Sequence, residues 1–539
     1  MTPDFDAIVV GAGFAGIRTL YLLRENGFNV RGIERYNGLG GVWHANSYPG
    51  ARCDSPQPFY QIQDEKLASG WTFSERFPEY SEIREYFKYV DSQWFVSKDF
   101  DFETTVVQAS FTEDSLWSVS LSDGRRLTAR WFIPAVGIAS LQSFPEIKGI
   151  DQFQGEMFHT GSWPISGVPL KDKRVAIIGT GASGAQMIAR IAPEVKSLTV
   201  YQRTPVVVIP VSPEPEKGSN PHLSSLTPEG SRAAFERSPK SFSGLDFSFK
   251  DPESVAIGSP LRDIQNENLY KQGSLGLIWG NFSDVFANRE ANEQLYLSWA
   301  KSAGAKIRDP IKRSILVPSK LSYPIGVKRA CFVDNYYESF NRPNVDVVDI
   351  RKEKLTEITK EGIQSGSTHR EFDIIVFATG FQSLSAGITK LNITGKNGLR
   401  LTDAWKDRIS SYLGLSVPGF PNMFYLFGPQ GPTVKVNVPT TVECQAQWIL
   451  STLKGLRESK IDCCEATPSA AQGWVNRLTQ RWNDSLYAKA DVWEARSSSN
   501  QSEPLWIEGI QKYNEIIRQC RAPEFRGFVK LQPKPAARL

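Results

Sequence analysis

Two glycine-rich motifs on one chain restrict its fold more than any other feature. The first, GAGFAG, covers residues 11–16 and directly follows the apolar run 7–10. The second, GTGASG, covers residues 179–184 and directly follows the apolar run 175–178. A motif of this spacing between a buried strand and a helix is typical of a dinucleotide-binding unit. The chain is therefore predicted to bind two dinucleotides and to move electrons between them.

An acidic residue after the first motif indicates which dinucleotide it binds. Gly11, Gly13 and Gly16 allow the tight turn, the approach of the backbone to the pyrophosphate, and the contact between helix and sheet. Glu34 closes the next predicted strand. A carboxylate there accepts hydrogen bonds from a ribose 2′-hydroxyl and repels a 2′-phosphate, which favours FAD or NAD over NADP.

A cation takes the place of this acid after the second motif. Arg203 comes two residues after the predicted strand 198–201. Its guanidinium can hold a 2′-phosphate with two parallel hydrogen bonds, which favours NADP over NAD. The alternative is an ordinary surface arginine. FAD in the first unit and NADPH in the second is compatible with disulfide reductases, ferredoxin reductases and monooxygenases.

Cysteine and histidine usage narrows these classes. The 539-residue chain has six cysteines, none in C-x-x-C or C-x-x-x-x-C spacing, and four histidines. A redox-active dithiol, a disulfide framework and a metal site are therefore not predicted. The missing dithiol argues against a disulfide reductase, and the missing iron–sulfur pattern argues against a reductase fed by a partner protein. A net charge of only +4 provides no basic field for nucleic acid.

The predicted fold class is α/β, with two Rossmann-like dinucleotide-binding domains and a helical insertion. The FAD-binding domain is assigned to residues 1–140 and 384–539, and the NADP-binding domain to residues 141–215 and 330–383. Residues 216–329 are predicted to form the mostly helical insertion, since strand periodicity is lost there. Apolar patterns predict strands at 6–10, 29–34, 198–201, 372–377 and 423–427, a strand meander at 104–135, and helices at 284–303, 440–458 and 469–485.

Apolar runs and the two termini indicate where in the cell the protein is expected. No apolar run approaches the about 18 to 20 residues that span a bilayer, and the N-terminus lacks the features of a secretory signal. A cytoplasmic protein is therefore expected. The C-terminal tripeptide, Ala537-Arg538-Leu539, resembles the small-basic-Leu signal for peroxisomal import, so a peroxisomal location is the alternative.

Two longer motifs carry a family resemblance. Residues 153–164 read FQGEMFHTGSWP and match F-x-G-x-x-x-H-x-x-x-W-P, while residues 40–54 match G-G-x-W-x-x-x-x-Y-P-G-x-x-x-D. On these motifs the chain resembles the type I Baeyer–Villiger monooxygenases. The resemblance implies FAD and NADPH as cofactors, and insertion of one oxygen atom of O2 beside a ketone carbonyl through a flavin C4a-peroxide. The product would be an ester or lactone, with sulfoxidation as a side activity. A monomer without a nucleic-acid or membrane partner is expected.

The same resemblance assigns roles to individual residues. The segment that begins Lys328-Arg329 matches the family's K-R-x(6)-Y-Y-x(3)-N, which makes Arg329 the active-site arginine, with Asp54 as its catalytic partner beside the flavin. Lys328 would help Arg203 to hold the 2′-phosphate. The cofactor-binding residues implied by motif or resemblance are Gly11, Gly13, Ala15, Gly16, Glu34, Gly41, Val42, Trp43, Arg52, Asp54, Tyr60, Val106, Gly179, Thr180, Gly181, Ala182, Ser183, Gly184, Gln186, Arg203, Thr204, Lys328, Arg329, Val438 and Trp493.

The fingerprint histidine and two departures from the family pattern concern motion and substrate range. His159 is expected on the linker between the domains, where it would affect closure rather than carry a proton. After Trp493 many relatives read GANIPGK, whereas this chain reads EARSSSNQ at 494–501. The loop 431–435 ends in Lys435, a charge where relatives are often small or apolar. Both departures lie where substrate range is set.

Two other functions compete with this interpretation. Flavin-containing monooxygenases, which oxidise nitrogen or sulfur, share both glycine motifs. Trp163-Pro164 and Lys328-Arg329 argue against them. A flavin-holding scaffold that only senses redox state would not need Asp54, Arg329 and Arg203 together.

Overall fold

The computed structural model describes residues 2–211, 227–245, 247–250, 253–257, 259–490, 495 and 503–531. Trp493 and the C-terminal tripeptide 537–539, which the sequence singled out, lie outside the described residues, as does most of the divergent segment 494–501.

The described residues form nineteen strands and sixteen α-helices. The strands are β1 (Phe5–Val10), β2 (Val30–Ile33), β3 (Phe100–Asp101), β4 (Val106–Phe111), β5 (Trp117–Leu121), β6 (Arg126–Pro134), β7 (Glu156–His159), β8 (Arg174–Ile178), β9 (Ser197–Gln202), β10 (Val208–Ile209), β11 (Cys331–Phe332), β12 (Val345–Asp349), β13 (Leu355–Ile358), β14 (Gly362–Ser365), β15 (Thr368–Glu371), β16 (Ile374–Phe377), β17 (Ile393–Thr394), β18 (Cys463–Ala466) and β19 (Phe528–Leu531). The helices are α1 (Phe14–Glu25), α2 (Val42–Ala45), α3 (Glu65–Gly70), α4 (Tyr80–Trp94), α5 (Ala182–Ile191), α6 (Pro228–Arg237), α7 (Ser259–Lys271), α8 (Gly276–Trp279), α9 (Arg289–Gly304), α10 (Pro310–Leu316), α11 (Tyr336–Ser339), α12 (Ala386–Thr389), α13 (Leu401–Ala404), α14 (Val438–Glu458), α15 (Pro468–Asn483) and α16 (Gly509–Arg518).

A seven-stranded sheet, ordered β17-β4-β5-β6-β1-β2-β3, carries the first glycine motif. Strand β1 pairs in parallel with β2 and β6, while β4, β5 and β6 form the predicted antiparallel meander. Side chains alternate between the two faces of β1, since Ala7 and Val9 belong to one core cluster and Ile8 and Val10 to another. The motif therefore lies at the carboxyl end of a central strand.

A five-stranded parallel sheet, ordered β12-β9-β8-β16-β7, carries the second motif between β8 and α5. The chain leaves this sheet after β9 and returns to it with β12 and β16. In such a sheet, ligands bind outside the carboxyl ends of the strands. Its edge strand β7 comes from the segment that carries the WP fingerprint.

The chain between β10 and β11 is helical, with no strand among its described residues, as the loss of strand periodicity predicts. The helix predicted at 284–303 begins later than expected. Asn288 caps α9, because its side-chain oxygen accepts hydrogen bonds from the N–H groups of Glu290 (2.8 Å) and Ala291 (3.3 Å). The turn Ser283–Phe286 before it is a separate 3-10 helix.

The C-terminal helices pack on the first unit. The helices predicted at 440–458 and 469–485 are present as α14 and α15. Arg18 of α1, which is buried, donates to Glu443 of α14 through Nε (2.7 Å) and Nη2 (3.0 Å). Residues of α1 and α14 share one hydrophobic cluster, so helices distant in sequence complete the layer beside β1.

The strand predicted at 423–427 is present only as an irregular segment beside β6. Met423 forms an isolated bridge with Phe132, and the N–H groups of Phe424 and Leu426 donate to the carbonyl oxygens of Phe132 (3.1 Å) and Pro134 (3.0 Å). Asn422, just before this stretch, and Phe427, its last residue, have positive φ angles of 57° and 46°. Left-handed residues at both ends limit the length of the extended backbone between them, so the segment pairs with β6 without forming a regular strand.

Candidate active site

The backbone of the first glycine motif fits a pyrophosphate. Gly11 has a φ of +107°, and a Cβ there would lie 2.7 Å from the carbonyl oxygen of Ala135. At Gly13 a Cβ would meet only the Cα of Gly41, at 3.6 Å. Gly11 is therefore required for the turn, and Gly13 exposes bare backbone at the N-terminus of α1, where the phosphates of FAD would bind.

Glu34 lies against this turn. It is buried, its Oε2 accepts a hydrogen bond from the N–H of Ala12 (2.6 Å), and its Oε1 accepts one from the N–H of Tyr36 (2.9 Å). Burial raises the pKa of Glu34, although these hydrogen bonds oppose the shift. The carboxylate is thus held at the tip of β2, where the ribose of FAD would lie.

The second glycine motif has the same shape. Gly179 also has a φ of +107°, and a Cβ there would lie 2.4 Å from the carbonyl oxygen of Ala378. No atom lies within 4 Å of a Cβ built on Gly181. Thr180 donates from Oγ1 to the carbonyl oxygen of Thr204 at 3.2 Å, which joins the motif to the loop after β9.

The sequence predicts that two cations, Arg203 and Lys328, belong to this second site. Arg203 is exposed directly after β9. The Nζ of Lys328 lies 4.8 Å from the ring centroid of Tyr323, and the hydroxyl of Tyr323 donates to the carbonyl oxygen of Pro205 at 2.9 Å. Tyr323 therefore links Lys328 to the loop that carries Arg203, although 125 positions separate these two residues (328 − 203) in the sequence. Both residues fit a 2′-phosphate.

The segment 40–54 covers the first glycine motif. The N–H of Gly40 donates to the carbonyl oxygen of Ala12 at 2.8 Å. Trp43 of α2 donates from Nε1 to the hydroxyl of Tyr60 at 3.0 Å. Burial raises the pKa of Tyr60 well above its usual value, so this hydroxyl stays protonated. Two residues that the resemblance assigns to the flavin are therefore in contact.

The same segment also contacts the second unit. The hydroxyl of Tyr48 donates to Oε1 of Gln186 on α5 at 2.8 Å, and Nε2 of Gln186 donates to the carbonyl oxygen of Arg52 at 3.0 Å. The Oγ of Ser47 donates to the carbonyl oxygen of Trp163 at 3.0 Å. The long signature thus connects both glycine motifs and the WP fingerprint.

Asp54 and Arg329 form a bidentate ion pair. The Nε of Arg329 lies 2.5 Å from Oδ2 of Asp54, and its Nη2 lies 2.8 Å from Oδ1. Burial alone would lower the pKa of Arg329, but the charge and hydrogen bonds of Asp54 raise it above its usual value. Both side chains keep between a quarter and a third of their surface exposed (27% and 29%), so the pair remains open to a ligand.

Two neighbours of this pair were not predicted from the sequence. The Oγ of Ser55 lies 3.4 Å from Nη2 of Arg329. The guanidinium carbon of Arg329 lies 5.2 Å from the ring centroid of Trp279 on α8, within range of a cation–π interaction. Ser55 directly follows the signature Asp54 and could have been found by adjacency. Trp279 lies in a stretch without a motif, and no local pattern indicates its contact.

His159 lies at the end of β7 rather than on a free linker. It is 3% exposed, and its ring contacts Phe144 and Phe381 at centroid distances of 5.0 and 5.9 Å. Its Nδ1 accepts a hydrogen bond from the N–H of Gly161 at 3.0 Å. Burial lowers the pKa of His159, so a neutral ring is favoured, which suits a positioning residue better than a proton carrier.

The other predicted contacts are less centrally placed. Val106 is buried at the start of β4, and Val438 is the first residue of α14. The side chain of Arg52 forms an ion pair with Glu79 at 2.9 Å. Among the residues that the resemblance names, the structure places Asp54 and Arg329 in contact and links their segments to the two glycine turns. The charge of Arg52, by contrast, is neutralised by Glu79.

Lys435 occupies an aromatic cage. It is 4% exposed, and its Nζ lies 3.9 Å from the ring centroid of Phe286, 4.1 Å from that of Tyr487 and 5.9 Å from that of Phe242. Burial lowers the pKa of Lys435 well below its usual value. A desolvated cation–π contact contributes about 2 kcal/mol, whereas burying a lysine cation costs several kcal/mol. The cation–π contacts therefore offset only part of the free-energy cost of burying a charged lysine.

Neither a membrane-spanning helix nor a metal-binding cluster occurs within the described ranges. No helix there is both long and apolar enough to cross a membrane. No cluster of three or more His, Cys, Asp or Glu side chains there is placed to hold a metal ion.

Comparison with known proteins identifies the family. Residues 6–214 match the family model described as FMO-like, flavin-binding monooxygenase-like. The chain is 36% identical to cyclopentanone 1,2-monooxygenase from Comamonas sp. (strain NCIMB 9872), over 96% of this chain and 94% of that protein. It is 33% identical to a Baeyer–Villiger monooxygenase from Pseudooceanicola batsensis, over 98% and 96% of the two chains.

The fold agrees with this relationship. The crystal structure of OTEMO in complex with FAD and NADP matches with a TM-score of 0.93 and 32% identity, over 98% of this chain and all of that one. The chain belongs to the flavin-binding monooxygenases. Within that family it belongs to the Baeyer–Villiger monooxygenases, as the two longer motifs predict. The predicted fold class is also confirmed. The domain boundaries and the individual site residues stay predictions.

Proposed function

We propose that this protein is an FAD-dependent, NADPH-using Baeyer–Villiger monooxygenase that converts a ketone into an ester or lactone, with sulfoxidation as a side activity. The bidentate Asp54–Arg329 pair, between two dinucleotide-binding turns, is the observation that carries this proposal. When bound, FAD reduced by NADPH supplies the chemistry that activates O2 for insertion beside the carbonyl. We also propose a monomer as the active unit.

The two dinucleotides would be held by different chemistry. Bare backbone at Gly13 and the carboxylate of Glu34 suit a pyrophosphate and an unmodified ribose. Bare backbone at Gly181, with Arg203 and Lys328 nearby, suits a pyrophosphate and a 2′-phosphate. We therefore assign FAD to the first site and NADPH to the second.

Arg329 would supply a fixed positive charge for the reaction. Its guanidinium does not lose its proton, and Asp54 fixes its orientation through Nε and Nη2. Its Nη1 group remains to donate hydrogen bonds to an oxygen on which negative charge develops. Because Asp54 fixes the orientation of the guanidinium before the reaction starts, Arg329 does not need to reorganise during it.

Product analysis tests this function. The purified holoenzyme is supplied with NADPH, 18O-labelled O2 and a panel of ketones, and the products are identified by mass spectrometry. One labelled oxygen atom in an ester or lactone is expected. A thioether run in parallel measures the side activity. Sulfoxide formation without any ester would instead favour the oxidation of nitrogen or sulfur, and NADPH consumption that yields only hydrogen peroxide would contradict both functions.

A further inference from the structure

Lys435 is a buried cation that the proposed mechanism does not use. Its ammonium group lies over the faces of Phe286 and Tyr487, and only 4% of the residue is exposed. Among the described residues, Lys435 has no ion pair and its Nζ has no hydrogen bond. Aromatic faces attract a cation but provide no oxygen to accept its three N–H groups. Within the part of the chain that the structure describes, the Lys435 amine therefore has no anionic partner.

The cage shares its walls with the segment that carries the active-site arginine. Gly326 lies three residues before Arg329. The hydroxyl of Tyr487 donates to the carbonyl oxygen of Gly326 at 3.2 Å. A Cβ on Gly326 would lie 3.0 Å from Cε1 of Phe286. Both rings that contact Lys435 thus pack on the start of the Arg329 segment.

The loop that carries Lys435 also contacts the segment after Asp54. Asn437, two residues after Lys435, donates from Nδ2 to the carbonyl oxygen of Phe59 at 2.7 Å. Phe59 directly precedes Tyr60, which contacts Trp43. The cage thus packs on the segment that carries Arg329, and the loop that carries Lys435 contacts the segment that follows Asp54.

We propose that Lys435 binds a carboxylate of the substrate, and that the ketones this enzyme prefers are keto acids. This inference rests on the proposed function. A carboxylate supplies the anionic acceptor that the cage lacks, through a charge-assisted hydrogen bond. Arg329 is not assigned this task, because Asp54 already takes its Nε and Nη2 and its Nη1 is assigned to the reacting oxygen. The distance between Arg329 and Lys435 would then determine the preferred spacing of carbonyl and carboxylate in the substrate.

The test compares matched substrates and matched variants. A series of linear methyl ketones that end in a carboxylate, lengthened one methylene at a time, is assayed beside the methyl ester of each. The wild-type enzyme is compared with Lys435→Met, which keeps the length of the side chain, and with Lys435→Arg, which keeps its charge. Lys406→Met, which removes an exposed lysine, is the control.

For the preferred length, we expect kcat/KM of the wild type for the acid to exceed that for the ester by about 10- to 100-fold, as for a hydrogen bond to a charged group. Lys435→Met should abolish this ratio, Lys435→Arg should retain part of it, and the control should retain all of it. A second measurement does not depend on turnover: the acid should raise the melting temperature of the wild-type holoenzyme and not that of Lys435→Met.

The outcomes separate this inference from the proposed function. Conversion of the esters with no preference for any acid, or an acid preference that survives in Lys435→Met, would overturn the role of Lys435 and leave the proposed function intact. If neither acids nor esters gained oxygen, the proposed function would fail. The thermal shift would then decide alone whether Lys435 holds a carboxylate.

Discussion

At the Asp54–Arg329 pair, one guanidinium combines a permanent charge with a fixed orientation. We predict that Arg329→Ala lowers kcat for ester formation. The activation free energy should rise by about 3 to 4 kcal/mol, as for the loss of an oxyanion donor. Arg329→Lys keeps a cation but loses the bidentate geometry, so it should recover only part of this loss. The rate of ester formation at saturating ketone measures this loss, and the flavin absorbance spectrum shows whether FAD is still bound.

One control separates lost chemistry from a carboxylate left without its partner. Arg329→Ala leaves Asp54 partly buried and unpaired, which is itself destabilising. Arg329→Ala combined with Asp54→Asn removes that charge. We expect the double variant to bind FAD as the wild type does and still to form ester no faster than Arg329→Ala. Ester formation at the wild-type rate in either variant would remove Arg329 from the mechanism.

Lys435 makes a prediction about stability and pH. Because burial lowers its pKa in the folded protein, the unfolded chain binds more protons at this group between its folded pKa and its usual value of about 10.4. The contribution of Lys435 to the free energy of unfolding therefore rises with pH in that window, by at most about 1.4 kcal/mol per pH unit. Lys435→Met removes this contribution and should be more stable than the wild type by about 1 to 4 kcal/mol at neutral pH.

Melting temperatures of both holoenzymes across pH measure this difference. The stability advantage of Lys435→Met over the wild type should shrink as pH rises. A difference that stays constant or grows with pH would show that Lys435 is charged in the folded protein and already paired.

At the scale of single elements, the loop after β9 determines which nicotinamide cofactor is used. Arg203→Ala should raise the KM for NADPH by about 10- to 100-fold, the loss of a hydrogen bond to a charged group, and should barely change the KM for NADH. Lys196→Ala removes an exposed cation at the opposite end of the same strand and should change neither value. Steady-state kinetics with both cofactors decide the matter, and equal effects of Arg203→Ala on them would exclude a contact with the 2′-phosphate.

Elements set by local pattern were predictable from the sequence, and elements set by distant contacts were not. Each glycine turn depends on a few adjacent residues and an apolar strand before it, so both were placed correctly. The apolar run 423–427 looks like a strand and pairs with β6, but the left-handed backbone of Asn422 and Phe427 keeps it short and irregular. The start of α9 depends on the side chain of Asn288, whose capping role its neighbours in sequence do not reveal.

In the site too, residues that belong to motifs were predictable from the sequence, and residues placed by distant contacts were not. Asp54 and Arg329 could be paired from family motifs alone, although 275 positions separate them. Trp279 and the cage around Lys435 could not, since their partners come from segments without motifs. The motifs identify residues that are expected to contact cofactors. They do not identify the side chains that pack between those residues, because these side chains come together only in the folded chain.

The connection between the two units yields a prediction for the whole molecule. Gln186 on α5 joins Tyr48 and Arg52, and so holds the segment that carries Asp54 against the second glycine motif. Gln186→Leu leaves the hydroxyl of Tyr48 and the carbonyl of Arg52 without this partner, at about 1 to 3 kcal/mol each. Because reaction between bound groups depends on their alignment to within about 1 Å, we expect ester formation to fall by about 10- to 100-fold.

Loss of alignment differs from loss of a cofactor in what it leaves intact. The resemblance assigns Gln186 to cofactor binding, but both polar groups of its amide are engaged by Tyr48 and Arg52. In Gln186→Leu the FAD content and the KM for NADPH should therefore stay near their wild-type values, while the hydrogen peroxide formed per NADPH consumed should rise. Tyr48→Phe removes only one of the two hydrogen bonds, so it should give an intermediate ratio of peroxide to ester. A variant at position 186 that lost FAD, or that kept full ester yield, would show that this contact stabilises the fold without aligning the two sites.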